Sequence, residues 1–217
     1  MIHRVEKGIL PTADQVQVGD SVYMGQYYVS SRALEPLAWR VLAKENDRCL
    51  LITDMCIDWR RYHPGGSSSW AHCDLRYDLQ FLAEDLFTEE EWSIVLETAV
   101  LTAPGLIQTD EEQALAEQTP DAGEQSMDRL FLLSVYEAAR YFADDADRKC
   151  AGTPYAVSKG CYNNGAVDGA CWWLRTNGYQ KSYKVEVLPN GEINGTGDEI
   201  DEESGIRPAM WVRFNKE

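Results

Sequence analysis

The chain of 217 residues is 44% hydrophobic, 26% charged and 11% aromatic. This composition is typical of a globular protein with a buried core and excludes the disordered, collagen-like and membrane-spanning classes. The 20 Lys and Arg residues against 36 Asp and Glu give a net charge of -16, which repels phosphate backbones and anionic lipid. We therefore expect neither nucleic acid nor membrane as a partner, and the length favours one domain.

The N-terminus has no apolar stretch of signal-peptide length, and no later stretch approaches the ~18–20 apolar residues of a membrane span. We therefore predict a cytoplasmic protein. In a reducing compartment disulfides are rare, so the cysteines are expected to be thiols packed as small hydrophobic side chains. There are six of them: Cys49, Cys56, Cys73, Cys150, Cys161 and Cys171.

The first predicted elements are strands. Residues 19–54 contain short runs of Val, Tyr, Trp, Ile and Leu separated by turn residues, which indicates a β-meander. Residues 41–43 and 50–52 flank a polar turn and should pair as an antiparallel hairpin, with Trp39 packed beneath.

Helical patterns follow. Leu75, Leu79, Leu82 and Leu86 recur at spacings of three and four, which predicts one apolar helix face. Thr88 followed by three glutamates indicates the start of a second helix, with an apolar side that runs to Val100. The polar, acidic residues 108–128 are predicted as a surface loop.

The last predicted elements alternate strand and helix. Residues 131–133 form a short apolar strand signal, and Ser134 with Glu137 makes a capping box for a helix that ends near Tyr141. Residues 183–187 alternate with period two before a Pro-Asn-Gly turn. These last strands should have one buried and one exposed face.

Few residues have the spacing of a metal or nucleophile site. Cys56, His63, His72 and Cys73 match no zinc pattern, so a loop histidine and a buried thiol are the simpler interpretation. The sequence has three histidines and no G-x-S-x-G motif that would indicate an activated nucleophile. The acidic residues 198–203 could supply oxygen ligands to calcium, the alternative to a solvated loop. No cofactor is otherwise predicted.

Two pairs of large side chains stand at the edges of apolar runs. Trp172 and Trp173 are predicted to lie in the core, with stacking on a sugar as the alternative. Arg175 and Arg207 are predicted to tie loop carbonyls or carboxylates together, with substrate binding as the alternative.

Seven segments also carry a resemblance that extends in order from about residue 19 to residue 212. They are residues 25–27, 36–42, 50–54, 70–76, 131–134 together with 137–138, 171–175 (Cys-Trp-Trp-Leu-Arg) and 205–209 (Gly-Ile-Arg-Pro-Ala). The set resembles an uncharacterised bacterial family whose usual motifs are W-W-L-R-S-P-G and G-V-R-P-A. Thr176-Asn177 replaces the Ser-Pro of the first motif, and residues 198–203 are more acidic than in that family.

The resemblance implies a C-type-lectin-like fold, similar to formylglycine-generating enzymes and to bacterial or phage variable proteins that retroelements diversify. We therefore expect an α+β protein with short antiparallel strands, two or three helices and a loop-rich C-terminal part. Residues 1–18 would be an N-terminal extension and residues 19–217 the domain. In the variable proteins the stretch between the two motifs displays the binding surface, on a scaffold that corresponds here to Trp172, Trp173, Arg175 and Arg207.

The resemblance thus predicts a non-enzymatic module that binds a protein, or alternatively a glycan, through exposed polar and aromatic residues between Arg175 and Gly205. Two other classes stay open: an oxidative enzyme of the formylglycine-generating type, for which Cys161 and Cys171 are the nearest cysteine pair, and a structural or assembly domain. The expected binding residues are Asn177, Tyr179, Gln180, Lys181, Tyr183, Lys184, Glu186, Leu188, Glu192, Asn194, Thr196, Asp198 and Glu199.

Overall fold

The computed structural model describes residues 1–6, 8, 10–30, 33–66, 69–101, 124–161, 169–180 and 182–215. Its strands are β1 (Ile2–Arg4), β2 (Ser21–Ser30), β3 (Ala33–Lys44), β4 (Arg48–Thr53), β5 (Asp58–Arg61), β6 (Val95–Leu96), β7 (Thr98–Leu101), β8 (Gln125–Asp128), β9 (Trp172–Asn177), β10 (Tyr183–Val187), β11 (Ile193–Glu199), β12 (Glu203–Ile206) and β13 (Ala209–Arg213). The helices are α1 (Asp74–Leu86), α2 (Glu89–Ile94), α3 (Val135–Tyr141), α4 (Asp145–Arg148) and α5 (Pro154–Ser158), with a 3-10 turn at Trp70–His72. The mixed α+β class is confirmed.

The first sheet has six strands in the order β1-β2-β3-β4-β13-β6. The predicted meander is confirmed, because β2, β3 and β4 pair in sequence and Val41 lies opposite Leu51 in the predicted hairpin. Trp39 is fully buried, and its indole Nε1 donates to the Met24 carbonyl at 2.8 Å. The strands β2 and β3 have 10 and 12 residues, longer than the short strands expected.

The second sheet has five strands in the order β11-β10-β9-β12-β5. Most neighbours are antiparallel, but β12 runs parallel to β9, with Gly205 opposite Trp172. Only Arg207 and Pro208 separate β12 from β13, so the chain passes from the second sheet to the first within two residues. Residues 172–213, in the C-terminal part expected to be rich in loops, therefore lie mainly in strands.

Two predicted helix starts are confirmed by their capping. Thr88 and Glu91 form a capping box at α2, and Ser134 and Glu137 form one at α3. In each box a hydroxyl and a glutamate satisfy backbone amides that have no partner within the helix. The helix predicted from the leucine spacing is also confirmed as α1.

The second helix is shorter than predicted. It ends at Ile94, where Val95 begins β6 beside β13, and Val100 lies in β7, which pairs with β8. Because β-branched residues pack well on a pleated sheet, strand pairing overrides the helical spacing here. The sequence predicts two or three helices, whereas the described part of the chain has five. Two of them, α4 and α5, are short, with four and five residues.

Two further expectations need correction. Residues 125–128, part of the predicted loop, form β8, while residues 108–123 lie outside the described part of the chain. The strand predicted over residues 131–133 reduces to one bridge between Phe131 and Ala209. Phe131, Leu132 and Leu133 are nevertheless buried in the core.

The first 18 residues, predicted as an extension, contribute to the first sheet. β1 pairs with β2 in parallel, and Leu10 and Val16 are fully buried in the core. Within the residues that the structure describes, no helix combines the length and apolar character that crossing a membrane would require.

Candidate functional site

The central strand β9 carries the tryptophan pair that the sequence places in the core. Both rings are fully buried. Trp173 donates from Nε1 to the Arg60 carbonyl at 3.0 Å and packs edge-on against Tyr62, with ring centres 5.9 Å apart. Trp172 packs beside Phe142 on the other side of the strand. Since neither ring reaches the surface, stacking of these tryptophans on a sugar is excluded in this conformation.

The two predicted arginine ties are buried and bind main-chain oxygens. Arg175 donates from Nε to the Leu101 carbonyl at 3.1 Å and from Nη1 to the Leu132 carbonyl at 2.6 Å, and it pairs with Glu137. Its guanidinium therefore ties β9 to the capping box of α3. Planar guanidinium groups suit such multiple contacts because several N–H donors lie in one fixed plane.

Arg207 makes the second tie, at the crossing between the two sheets. It donates from Nε to the Thr53 carbonyl at 2.9 Å and from Nη1 to the Arg148 carbonyl at 3.3 Å. The guanidinium lies over the Trp172 ring, 5.0 Å from its centre, and near Phe142 at 5.3 Å. Trp172 and Arg207 therefore support each other at the junction of the sheets.

Five of the predicted binding residues meet at one end of the second sheet, outside the buried tryptophans and arginines. The Tyr179 and Tyr183 rings lie edge to face, 4.9 Å apart, and the Tyr183 hydroxyl donates to Glu199 at 2.9 Å. The Tyr179 amide donates to the Thr196 carbonyl at 3.1 Å. We call this surface the tyrosine face, and define it by Tyr179, Gln180, Tyr183, Thr196 and Glu199. The two tyrosines are half-exposed, and the other three residues are exposed.

Two glycines allow the backbones of the tyrosine face to approach. A Cβ at Gly178 would lie 2.5 Å from the Thr196 carbonyl oxygen, and one at Gly197 would lie 2.6 Å from the Lys184 carbonyl oxygen. Gly197 also has a φ of 83°, which side chains rarely adopt. The sequence analysis did not predict this close approach.

The other predicted binding residues are not part of the tyrosine face. Leu188 and Glu192 flank the turn at the opposite end of the β10–β11 hairpin, where the Leu188 amide donates to the Glu192 carbonyl at 2.8 Å. Asn194 closes a turn with Gly197, and Asp198 is half-buried. Lys181 lies outside the described residues.

Three residues expected at the surface are instead buried: Asn177 and Lys184 are each 1% exposed, and Glu186 is 5% exposed. The expected exposure of these three is wrong, as is the exposed face predicted for β10. The register shifts between Lys184 and Glu186 against both neighbouring strands. A bulge breaks the period-two pattern from which one exposed face follows.

Glu186 is buried in the second sheet, where the loss of water contact disfavours its charged form. Burial, followed by the nearby negative charge of Asp198, raises the pKa of Glu186 to about 7, while hydrogen bonds from Ser204, Asn194 and Cys171 oppose the rise. The Ser204 hydroxyl lies 3.2 Å from the Glu186 carboxyl. The carboxyl is therefore partly protonated at neutral pH.

The residues considered as metal ligands are separated. His63 Nδ1 lies 3.1 Å from Asp74, and His72 Nε2 lies 3.0 Å from Glu124. Burial raises the pKa of Cys73 to about 12, so its thiol stays protonated. Among the described residues, no three His, Cys, Asp or Glu side chains are grouped so as to hold a metal.

The cysteines are arranged in a way that the sequence spacing does not show. Cys56 and Cys150 are 94 residues apart in the chain, yet their sulfur atoms are 3.6 Å apart in the core. Burial, and then the acids Glu186 and Asp198, raise the pKa of Cys171 to about 12, which weakens the Cys161 and Cys171 pair considered for oxidative chemistry.

An open cleft was also missed. It has a volume of about 400 Å³ and lies between the start of the chain and the end of α1, where Tyr23, Gly25, Phe87 and Glu91 contribute to its lining. The Gly25 amide donates to Glu91 at 2.9 Å, so this carboxylate is already engaged by the fold. The cleft is lined by segments that are far apart in the sequence. No pattern within one segment would therefore have indicated it.

Comparison with known proteins places the chain in a family. The model of a family described as a domain of unknown function, DUF6273, matches residues 46–214. No curated protein and no solved structure matches the chain. The matched range begins in the turn before β4 and includes α1, the buried arginines, the tryptophan pair and the tyrosine face. Because it covers well over half of the sequence, the chain belongs to the DUF6273 family.

Proposed function

We propose that the chain is a non-enzymatic binding module, built on a C-type-lectin-like scaffold, whose tyrosine face binds a protein partner. The observation that carries the proposal is a half-exposed pair of rings beside two buried strands: Tyr179 lies in the bend after β9, and Tyr183 is the first residue of β10. Tyrosines present large amphipathic surfaces at low entropic cost. Such rings on a rigid support are typical of protein-binding surfaces.

The geometry also holds the face in place before binding. The Tyr183 hydroxyl is tied to Glu199, and the Tyr179 main chain is tied to Thr196. Because these side chains and strands are already ordered, binding loses little conformational entropy. The sequence resemblance to variable proteins supports the same location, since their binding surface lies between the same two motifs.

Charge favours one kind of partner. Glu199, Asp201 and Glu202 are exposed beside the tyrosines, and the whole chain carries a net charge of -16. Complementary potentials steer association and raise its rate. We therefore propose a partner protein with a basic surface, rather than a glycan. Trp172 and Trp173 are also buried, so their rings cannot stack on a glycan at the surface.

The test begins with capture of a partner from a lysate of the source cell and identification by mass spectrometry, followed by measurement of Kd with the purified partner. Tyr179→Ala/Tyr183→Ala should weaken binding by about 30-fold or more, since central aromatic anchors cost about 2 kcal/mol or more when truncated. Its melting temperature should stay close to that of wild type.

The matched control is Tyr77→Ala/Tyr136→Ala, which removes two exposed tyrosines from α1 and α3. It should bind as wild type does. If the control weakens binding as much as the Tyr179 and Tyr183 variant, or if that variant binds normally, the tyrosine face is not the binding surface. A Kd that does not change with salt would refute the basic partner.

A further inference from the structure

Three thiols meet in the core where β5 approaches the segment between α4 and α5. Cys56, Cys150 and Cys161 are 0%, 3% and 2% exposed. The Cys56 and Cys150 sulfur atoms are 3.6 Å apart, and the Cys161 thiol also hydrogen-bonds to Cys56. Cys56 is therefore the central thiol of a cluster drawn from three separate segments.

The backbone fixes this arrangement. The Cys56 amide donates to the Ala151 carbonyl at 2.9 Å, and the Thr153 amide donates to the Cys56 carbonyl at 2.9 Å. Two glycines leave the space that the sulfur atoms use: a Cβ at Gly152 would lie 2.6 Å from the Cys161 sulfur, and one at Gly205 would lie 2.6 Å from the Cys56 sulfur. The thiols are thus held in contact by main-chain pairing.

We propose that Cys56 and Cys150 are a peroxide-reactive thiol pair that forms a reversible disulfide in the folded protein. Their sulfur atoms are 3.6 Å apart and need to approach by about 1.5 Å to reach bonding distance. Hydrogen peroxide is small and uncharged, so it is the class of oxidant that suits a nearly buried site. Larger oxidants such as glutathione disulfide would not reach the buried thiols.

The electrostatics assign the order of events. Burial raises the pKa of Cys56 well above its usual value, and its contacts with Cys150 and Cys161 act in the same direction. Burial opposes ionisation of Cys150 as well, but the Cys56 thiol, Arg207 and the Cys56 amide together lower the pKa of Cys150 to about 7. Cys150 therefore ionises more readily than Cys56, and we assign it as the first of the two to react.

The reaction balances with one peroxide. The Cys150 thiolate attacks one peroxide oxygen, the O–O bond breaks, and the departing hydroxide takes a proton to become water. Cys56 then attacks the sulfur of the Cys150 sulfenic acid, the S–O bond breaks, and the second oxygen leaves as water with the Cys56 proton. The two thiols lose two electrons and two protons, and peroxide becomes two waters.

The experiment uses the reduced full chain, treated with a small excess of hydrogen peroxide, alkylated in denaturant and weighed intact. Two of the six thiols should escape alkylation and become available again after a reductant. Non-reducing tryptic digestion should join residues 49–60 to residues 150–159. Cys150 is alone in the second peptide, but Cys49 and Cys56 share the first.

Two variants complete the test. Cys49→Ser should still form the linked peptides, which assigns the bond to Cys56. Cys56→Ser should form no linked peptides and should lose only the Cys150 thiol, as a sulfenic or sulfinic acid, under the same treatment. Should Cys56→Ser fail to fold, wild type in urea replaces it, and the disulfide should form more slowly there than in the folded chain. In wild type, full alkylation after peroxide, sulfinic acid without a disulfide, a bond to another cysteine, or an equal rate in urea would overturn the proposal.

Discussion

The Lys184 ammonium donates a hydrogen bond to the side-chain oxygen of Asn177 across the β9–β10 pair, and both residues are buried. The Lys184 nitrogen also lies 5.4 Å from the centre of the Tyr62 ring. A buried ammonium is costly unless acceptors surround it. The polar residues nearest to the tyrosine face therefore support the fold and are not available to a ligand.

Asn177→Ala should lower the free energy of unfolding by about 1–3 kcal/mol, because it removes one acceptor from a buried cation. Urea unfolding measures the change. Asn177→Leu/Lys184→Met should recover much of the loss, since apolar side chains replace both polar partners. If Asn177→Ala is as stable as wild type, the contact contributes nothing to the fold.

Glu186 should make stability depend on pH. Its pKa is about 7 when folded against about 4.3 for an unperturbed glutamate, so between these values the folded state binds more protons than the unfolded state. The free energy of unfolding should therefore fall as pH rises from about 4.5 to 7, by about 1–3 kcal/mol from this group.

Glu186→Gln should remove that part of the pH dependence and be more stable than wild type at pH 8. The measurement is urea unfolding of both proteins at pH 5 and pH 8. Glu192→Gln, which removes an exposed carboxylate from the same hairpin, is the control for the loss of one charge. Equal pH dependence in wild type and Glu186→Gln would show that the carboxyl titrates as it does in water.

Trp173→Ala should destabilise the fold by about 3–5 kcal/mol, because a buried ring is lost and a cavity remains. The control is Phe81→Ala on α1, where the ring is 70% exposed and the expected change is within about 0.5 kcal/mol. Urea unfolding of both variants checks the difference. A shift below about 1 kcal/mol for Trp173→Ala would contradict its place in the core.

Arg207→Lys should cost about 1.5–3 kcal/mol, since a lysine cannot reproduce the two carbonyl contacts and the flat packing on Trp172. Arg213→Lys, at an exposed position of β13, keeps the same exchange of side chains without buried contacts. It should remain within about 0.5 kcal/mol of wild type. Equal thermal and urea stability of the two variants would mean that charge alone is required at residue 207.

Local signals in the sequence predicted local structure well. The capping boxes at Thr88 and Ser134, the hairpin after Trp39 and the Pro-Asn-Gly turn each depend on residues within one short segment. Such patterns determine hydrogen bonds between near neighbours, so no knowledge of the distant chain is needed.

Features that depend on distant partners could not be predicted in the same way. Strand β10 alternates as a half-exposed strand should, but a bulge and the contacts of Lys184 and Glu186 bury both of its faces. The pairing of Cys56 with Cys150 depends on a bridge between Cys56 and Gly152. The family resemblance indicated the region between Arg175 and Gly205. Only the structure shows which five of the predicted binding residues in that region meet in the tyrosine face.

The passage from β12 to β13 has a consequence for how the protein reaches its native state. β13 lies between β4 and β6 and pairs with both, so the first sheet stays divided until residues 209–213 have left the ribosome. Pairings between such distant segments form slowly, because long loops must close first. We therefore expect nascent chains stalled before Ala209 to be sensitive to protease and dependent on chaperones, with protection acquired in one late step as the final strand is inserted.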